Sequence, residues 1–218
     1  MTNTKISRRS FLKAAGITLA ATTLTCTGLG FAATRVPAIE TADLTFSEDS
    51  KMKKRILVTY ATRAGSTAEV AAAIGKTLNQ RGFSVDVKSV KEQPELGDYQ
   101  AVVCGSAIRM GNWLPEAVAY VKDNLETFKV LPFAAFSVHL QNTAEDELSL
   151  SNRKAYLNSV RTWVNPAEEG YFAGNMDLSK LSFADRLVTK MVKSPLGDQR
   201  DWEKINSWSN TLFSAELG

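Results

Sequence analysis

The chain has 218 residues, a formal net charge of +3 and a sequence pI near 8.8. Its 44% hydrophobic and 22% charged residues exclude a disordered or collagen-like chain and a protein with many membrane spans. Two cysteines and one histidine exclude a disulfide scaffold and a Cys/His zinc cluster, so no metal site is expected.

The excess of positive charge lies at the N-terminus. Residues 1–33 contain four basic residues and no acidic residue, which leaves 22 basic and 23 acidic residues, or −1, in 34–218. Composition therefore gives no support for a nucleic-acid partner. Basic residues followed by an apolar run at 14–33 are typical of an export signal.

Residues 7–13 (SRRSFLK) resemble the twin-arginine export signal. The resemblance implies a signal peptide over 1–33 and a protein in the periplasm or at the outer face of the cytoplasmic membrane. The alternatives are a plain export signal with a chance Arg-Arg pair and a leader that is retained as an anchor. Residues 34–52 contain Pro37, several Thr and Ser and four acidic residues, and they predict a flexible linker.

From residue 53 onward, short apolar segments alternate with amphipathic ones. Strands are predicted at 55–60, 83–88, 101–105, 131–138 and 170–174, and helices at 67–80, 115–128, 151–164 and 201–213. This alternation predicts one domain over 53–218, a three-layer α/β sandwich with a parallel sheet and helices on both faces. Right-handed crossovers place the loops after the strands along one carboxyl edge, where ligands of such sheets bind.

The loop after the first strand combines three hydroxyls and a glycine with a helix N-terminus. Thr62, Gly65, Ser66 and Thr67 lie within six residues. Unpaired N–H groups, the helix dipole and the hydroxyls favour a phosphate group there, and a glycine lets the backbone approach it. A capped helix without a ligand is the alternative, since Ser and Thr are common caps.

The stretch 58–67 (VTYATRAGST) resembles the FMN-phosphate signature of the flavodoxins, with Thr59 where an aliphatic or aromatic residue is usual. The resemblance implies a flavodoxin-like sheet of five parallel strands in the order 2-1-3-4-5, with FMN as cofactor. It also implies that the loops after strands one, three and four hold the cofactor. The residues expected to bind it are Thr62, Arg63, Ala64, Gly65, Ser66, Thr67, Ser106, Ala107, Ile108, Arg109, Met110, Gly111, Ser137, Val138 and His139.

Further segments at 105–111, 136–140, 171–174 and 201–203 resemble the flavodoxin-type, menaquinone-dependent protoporphyrinogen IX dehydrogenases. This resemblance implies oxidation of a porphyrinogen by FMN, with a quinone or another redox partner as electron acceptor. It includes an extra helical segment at 177–200. Apolar and basic residues at helical spacing over 177–193 predict a helix that packs on the sheet or, alternatively, contacts a membrane surface. A non-enzymatic electron carrier and a flavin-free binding module are the alternative functions.

Two residues are candidates for catalysis. His139 follows the fourth strand and has the chemistry of a proton relay, although it is also interpretable as an exposed or capping loop residue. Arg109 has the charge to neutralise a reduced flavin or a substrate carboxylate, and an ordinary surface position is the alternative. Cys104 is expected to be buried, and Trp113 to cover the flavin ring or to lie in the core. The tryptophans expected in the core are Trp163, Trp202 and Trp208.

Overall fold

The computed structural model describes residues 44–46, 54–177 and 195–217. Its strands are β1 (Leu44–Phe46), β2 (Arg55–Ala61), β3 (Ser84–Ser89), β4 (Ala101–Arg109), β5 (Asn112–Trp113), β6 (Phe133–His139), β7 (Glu168–Ala173), β8 (Asn175–Met176) and β9 (Gly197–Asp198). Its α-helices are α1 (Ser66–Gln80), α2 (Pro115–Asp123), α3 (Leu125–Phe128), α4 (Glu147–Ala155), α5 (Asn158–Arg161) and α6 (Trp202–Thr211).

Five parallel strands form the centre of the main sheet, in the order β3-β2-β4-β6-β7. Counted without β1 and β5, this is the order 2-1-3-4-5, so the predicted fold class is confirmed. All residues of β6 are buried, and so are all but the first of β2. Burial of both faces is the reason that these strands have apolar side chains with little alternation.

Helices cover the two faces of the sheet. One face packs against α1 and α6 through residues such as Val70, Ile74 and Ile205. The other packs against α2, α3 and α5, with Val121, Phe128 and Val160 among its buried residues. The spacing of four between Val70, Ile74 and Leu78 explains why one side of α1 is buried against the sheet.

A strand occurs within the predicted linker at 34–52. β1 pairs antiparallel with β3 at the edge of the sheet, with Leu44 opposite Val87 and Phe46 opposite Val85. Leu44 and Phe46 pack against the core beside α1, while Thr45 between them is exposed. A flexible linker therefore does not describe residues 44–46, because two alternating apolar side chains hold them on the sheet.

The predicted strand at 101–105 is longer in the structure and folds back on itself. β4 continues to Arg109 and pairs with β5 as a hairpin, with Ile108 opposite Trp113. Met110 and Gly111 form its turn with positive φ angles of 52° and 78°. Part of the predicted loop after strand three is therefore strand.

Two predicted helices are each divided. The helix expected at 115–128 is interrupted at Asn124, and that expected at 151–164 consists of α4 and α5. The first of the latter pair begins earlier because Asp146 caps it, its side chain accepting a hydrogen bond from the N–H of Ser149 at 2.9 Å.

Most of the extra helical segment expected at 177–200 lies outside the described residues, which omit 178–194. The described residues on either side of the gap form a two-stranded antiparallel ribbon of β8 and β9. In this ribbon Asn175 is opposite Asp198 and Met176 is opposite Gly197. Among the described helices, none has the length and apolar character needed to span a bilayer.

The predicted core residues fall into two groups. Cys104 is fully buried and Trp208 packs against the core, as expected. The prediction was wrong for Trp163 and Trp202, which are 38% and 39% exposed. Both lie under a cation, Lys122 over the ring of Trp163 and Arg200 over that of Trp202, so their faces are covered by amphipathic side chains instead.

Candidate functional site

The loops that contain the predicted site residues leave the sheet at one edge. Ala61 at the end of β2 is opposite Ser106 in β4, and Ser106 is opposite Ser137 in β6. His139, the last residue of β6, is opposite Ala173 at the end of β7. The carboxyl ends of four neighbouring strands therefore meet where ligands of such sheets bind.

The loop between β2 and α1 presents the N-terminus of a fifteen-residue helix. Gly65 is the N-cap residue, with φ 88°, and no cap side chain occupies the N–H groups of the first turn. A positive φ is easily adopted by glycine and strained for other residues. The hydroxyl of Thr62 accepts a hydrogen bond from the N–H of Gly65 at 3.0 Å, which fixes the loop. Ser66 and Thr67 are buried at the helix start, and Ala64 is half-buried.

The segment after β7 packs on this loop. The N–H of Asn175 donates to the hydroxyl oxygen of Ser66 at 2.8 Å, and the N–H of Gly174 donates to the carbonyl of His139 at 2.8 Å. Gly174 lies so close that a Cβ there would be 2.9 Å from Val138 Cγ1 and 3.2 Å from Ser66 Oγ. One backbone segment thus joins the loop after β2 to the end of β6.

Arg63, in the loop before α1, forms an ion pair with Glu116 in the first turn of α2, with Nη2 and Oε2 3.2 Å apart. Arg63 Nε and Glu116 Oε1 are buried and have no hydrogen-bond partner among the described residues. The pair therefore connects the predicted phosphate loop to the helix that follows the β4–β5 hairpin.

Two serines of the predicted site have structural contacts. Ser106 Oγ accepts from the N–H of Leu114 and donates to the carbonyl of Ala107, both at 2.9 Å. Ser137 Oγ accepts from the indole N–H of Trp113 at 2.8 Å. Since Trp113 is buried in the core, the alternative in which it covers a flavin ring is not the one that the structure adopts. These contacts hold the hairpin against β6.

The tip of the hairpin is open to solvent. Met110 is 85% exposed, and Arg109 and Gly111 are exposed beside it, while Ala107 and Ile108 are half-buried. Val138 points into the core on the α1 side. The structure thus brings the predicted residues to one edge but divides them between an exposed tip and a buried floor, and their role in binding stays a prediction.

His139 is buried, with 3% of its surface exposed, and its ring lies 5.5 Å from that of Tyr156. Nδ1 is 2.7 Å from the carbonyl oxygen of Gln141. Because a carbonyl only accepts, Nδ1 carries the proton and Nε2 is an acceptor, and Nε2 has no partner among the described residues. Burial lowers the pKa of His139 to about 4, with a further contribution from the charges of Arg153 and Lys204. The exposed-loop alternative was wrong, and the imidazole is neutral at pH 7.

The sequence interpretation did not find four residues that contact this edge. They are Glu69, Glu116, Asn175 and Arg200. Glu69 is an acidic residue in the first turn of α1, a position that the sequence alone could have indicated. Asn175 and Arg200 lie 109 and 131 residues from their partners in the loop and α1, and no local spacing indicates such contacts.

Comparison with known proteins assigns the family. The flavodoxin domain family matches residues 57–203, most of the chain, and the protein belongs to this family. This agrees with the sheet order and with the resemblance in the stretch 58–67.

The chain is distantly related to protoporphyrinogen IX dehydrogenase [quinone]. It is 28% identical to that protein of Escherichia coli K12 over 170 residues, covering 72% of this chain and 94% of the relative. It is 27% identical to that of Leishmania major over 156 residues, covering 69% of this chain and 67% of the relative. Among solved structures, a flavodoxin from the domain Archaea is 17% identical, with a TM-score of 0.41 over 64% of this chain and 99% of that chain.

Proposed function

We propose that this protein binds FMN at the carboxyl edge of the sheet and is an oxidoreductase related in activity to quinone-linked protoporphyrinogen IX dehydrogenase. The observation that carries the proposal is the loop at 62–67. This loop leads into the fifteen-residue helix α1, whose N-terminus has no side-chain cap. The hydroxyls of Ser66 and Thr67 lie in the first turn of the helix, and Gly65 is the N-cap residue. This set of donors fits a phosphate group.

The residues around the loop fit the rest of the cofactor. Two buried polar atoms at this edge have no hydrogen-bond partner among the described residues, namely Nε of Arg63 in the loop after β2 and Nε2 of His139 at the end of β6. A buried polar atom without a partner costs about 1–3 kcal/mol, so a polar ligand that satisfies it is favoured. The exposed hairpin tip at Met110 provides the apolar and backbone surface that a flat ring needs on the open side.

The roles of the chain are to bind, orient and shield. The α1 N-terminus, Ser66 and Thr67 would hold the phosphate, the β4–β5 hairpin and the end of β6 would flank the ring, and His139 offers a neutral acceptor at Nε2. FMN supplies the two-electron chemistry when it is bound. A porphyrinogen as donor and a quinone as acceptor follow from the names of the relatives and are part of the proposal.

The absorbance spectrum of the purified protein tests the first half of the proposal. We expect a yellow protein, or a colourless one that becomes yellow on addition of FMN. Ser66→Ala combined with Thr67→Ala should weaken FMN binding about a hundredfold or more, since each of the two lost hydrogen bonds to a charged group is worth about 1.5–3 kcal/mol and every 1.4 kcal/mol is tenfold. Thr211→Ala, a hydroxyl at the end of α6, is the control. A protein that stays colourless with FMN refutes the proposal.

Anaerobic mixing with protoporphyrinogen IX tests the second half. We expect bleaching of the flavin spectrum by the porphyrinogen and its return on addition of menaquinone. A flavin that is bleached only by a reductase or dithionite, and not by the porphyrinogen, would instead identify an electron carrier of the flavodoxin kind.

We also propose export by the twin-arginine route, on the strength of the signal-like residues 7–13. Arg8→Lys with Arg9→Lys should keep the protein in the cytoplasm of a host that has this pathway, and unchanged export would contradict the proposal. Contact of the basic segment 177–193 with a membrane surface is part of the same proposal, and retention of the protein on vesicles of anionic lipid tests it.

A further inference from the structure

The β8–β9 ribbon contacts the predicted phosphate loop at Ser66. Asn175 at its first strand donates to Ser66 Oγ at 2.8 Å. The N–H of Gln199, just after its second strand, donates to the carbonyl of Gly174 at 3.1 Å. The ribbon therefore contacts the loop directly at Ser66. The hydrogen bond from Gln199 to Gly174 joins the two ends of the ribbon beside that contact.

Arg200 fastens the other strand of the ribbon to α1. Its Nε and Nη2 donate to the two carboxylate oxygens of Asp198 at 2.8 and 2.7 Å, and its Nη1 contacts the carboxylate of Glu69 in the first turn of α1. The guanidinium also lies over the ring of Trp202, 4.5 Å from its centroid. The Arg200 side chain is only 7% exposed, so this arrangement is more than a solvated surface pair.

The contact with Asn175 determines what Ser66 has to offer a ligand. A serine hydroxyl has one proton to donate and two lone pairs. The N–H of Asn175 uses a lone pair of Ser66 Oγ, which leaves the O–H to donate and polarises it as a donor. A ligand with a strong acceptor, such as a phosphate monoester, is the ligand that this orientation favours.

We propose that Arg200 and the backbone N–H of Asn175 are positioning groups for the phosphate loop, so that docking of the β8–β9 ribbon and binding of a phosphate monoester stabilise each other. The inference rests on the proposed FMN function, and it names the β8–β9 ribbon as the element that regulates the affinity for FMN. Reciprocity follows from linkage: if the docked ribbon tightens phosphate binding, a bound phosphate holds the ribbon to the same extent.

A comparison of two flavins distinguishes an effect on the phosphate group from an effect on the rest of the ligand. FMN and riboflavin have the same ring and ribityl chain and differ by the phosphate group. An effect that acts through Ser66 must change the affinity for FMN and leave the affinity for riboflavin unchanged. An effect that acts through general loosening of the edge would change both.

The first experiment measures the Kd of the full-length protein for FMN and for riboflavin by flavin fluorescence quenching. Arg200→Met keeps the apolar stem over Trp202 but removes the contacts with Glu69 and Asp198. We expect its Kd for FMN to rise roughly tenfold, within the usual range of coupling between sites, and its Kd for riboflavin to change less than twofold. Arg161→Met is the matched control, since it removes a bidentate pair with Glu169 away from this edge.

Arg200→Lys provides a second variant that retains a positive charge. It should have an intermediate Kd for FMN because a lysine cannot hold both carboxylates with the geometry of a guanidinium. A matching Tm for the variants and the control establishes that all are folded. Equal FMN affinity in wild type, Arg200→Met and Arg200→Lys overturns the proposal, as does an equal loss for FMN and riboflavin.

Amide hydrogen exchange measures the same coupling from the ribbon. FMN should slow exchange at Asn175 and Gln199 in wild type, riboflavin should not, and Arg200→Met should speed exchange in the ligand-free protein. If wild type binds no FMN, the proposed function is refuted, and inorganic phosphate becomes the probe. Slower exchange at Asn175 with phosphate then supports the ribbon coupling by itself, and unchanged exchange overturns it.

Discussion

Replacing His139 should remove a pH dependence of stability that originates in its burial. The pKa of His139 is lowered from 6.5 to about 4, first by burial and then by the nearby charges of Arg153 and Lys204. His139 therefore takes up a proton near pH 6.5 in the unfolded chain but only near pH 4 in the folded protein. Stability is thus lost as the pH falls through this window and is restored as the pH rises.

The magnitude follows from the two pKa values. At about 1.4 kcal/mol per pKa unit, a group that titrates at 6.5 in the unfolded chain and at about 4 in the fold lowers the stability at pH 4.5 by about 2.5 kcal/mol relative to pH 7.5. His139→Asn keeps a polar side chain of similar reach and has no such titration. Carboxylates such as Glu145, whose pKa is lowered by the hydrogen bond from Arg153, titrate in both proteins and cancel in the difference.

Urea unfolding of both proteins without added flavin, at pH 7.5 and pH 4.5, is the assay. We expect wild type to lose about 2.5 kcal/mol more than His139→Asn between these values. The m-values should agree, so that the change in midpoint reports stability alone. An identical pH dependence in the two proteins would refute the account of a buried neutral imidazole.

Three other predictions concern the core. Gly105→Ala should lower stability by about 1–3 kcal/mol or more because its Cβ would lie 2.0 Å from the ring of Phe136, whereas Gly97→Ala, with nothing within 4 Å, should stay within about 0.5 kcal/mol in the same urea titration. Thr59→Val should raise the Tm and increase the free energy of unfolding by about 1 kcal/mol, because Thr59 Oγ1 is buried and has no partner among the described residues. An unchanged or lower Tm would contradict this prediction. The thiol of Cys104, whose pKa is raised by burial, should resist alkylation at pH 8 until the protein unfolds, as read by peptide mapping.

The sheet could be predicted because its signals are local. The apolar run at 55–61 and the spacing of Val70, Ile74 and Leu78 each lie within one element. Alternation of such elements then determines a parallel sheet and the edge at which its loops meet. The loop at 62–67 was identified for the same reason, since Gly65, the hydroxyls and the helix start are adjacent in sequence.

The remainder of the edge depends on contacts between distant parts of the chain. Asn175 and Arg200 reach the loop and α1 only because β7 ends beside His139 and the chain returns through β9. The ring of His139 likewise lies beside that of Tyr156, the residue that follows α4. Short strands such as β1 and β8, with three and two residues, have too little periodicity to be distinguished from loops.

The position of β1 has a consequence for the processing of the chain. An unpaired outer strand offers its backbone groups to other molecules and promotes aggregation, and β1 covers β3 against this. Cleavage of the chain at a point before Leu44 would leave β1 in place, whereas cleavage at 47–53 would remove it. We therefore expect cleavage within 47–53 to cause self-association of the protein. The parallel strands of the flavodoxin-like sheet would remain intact.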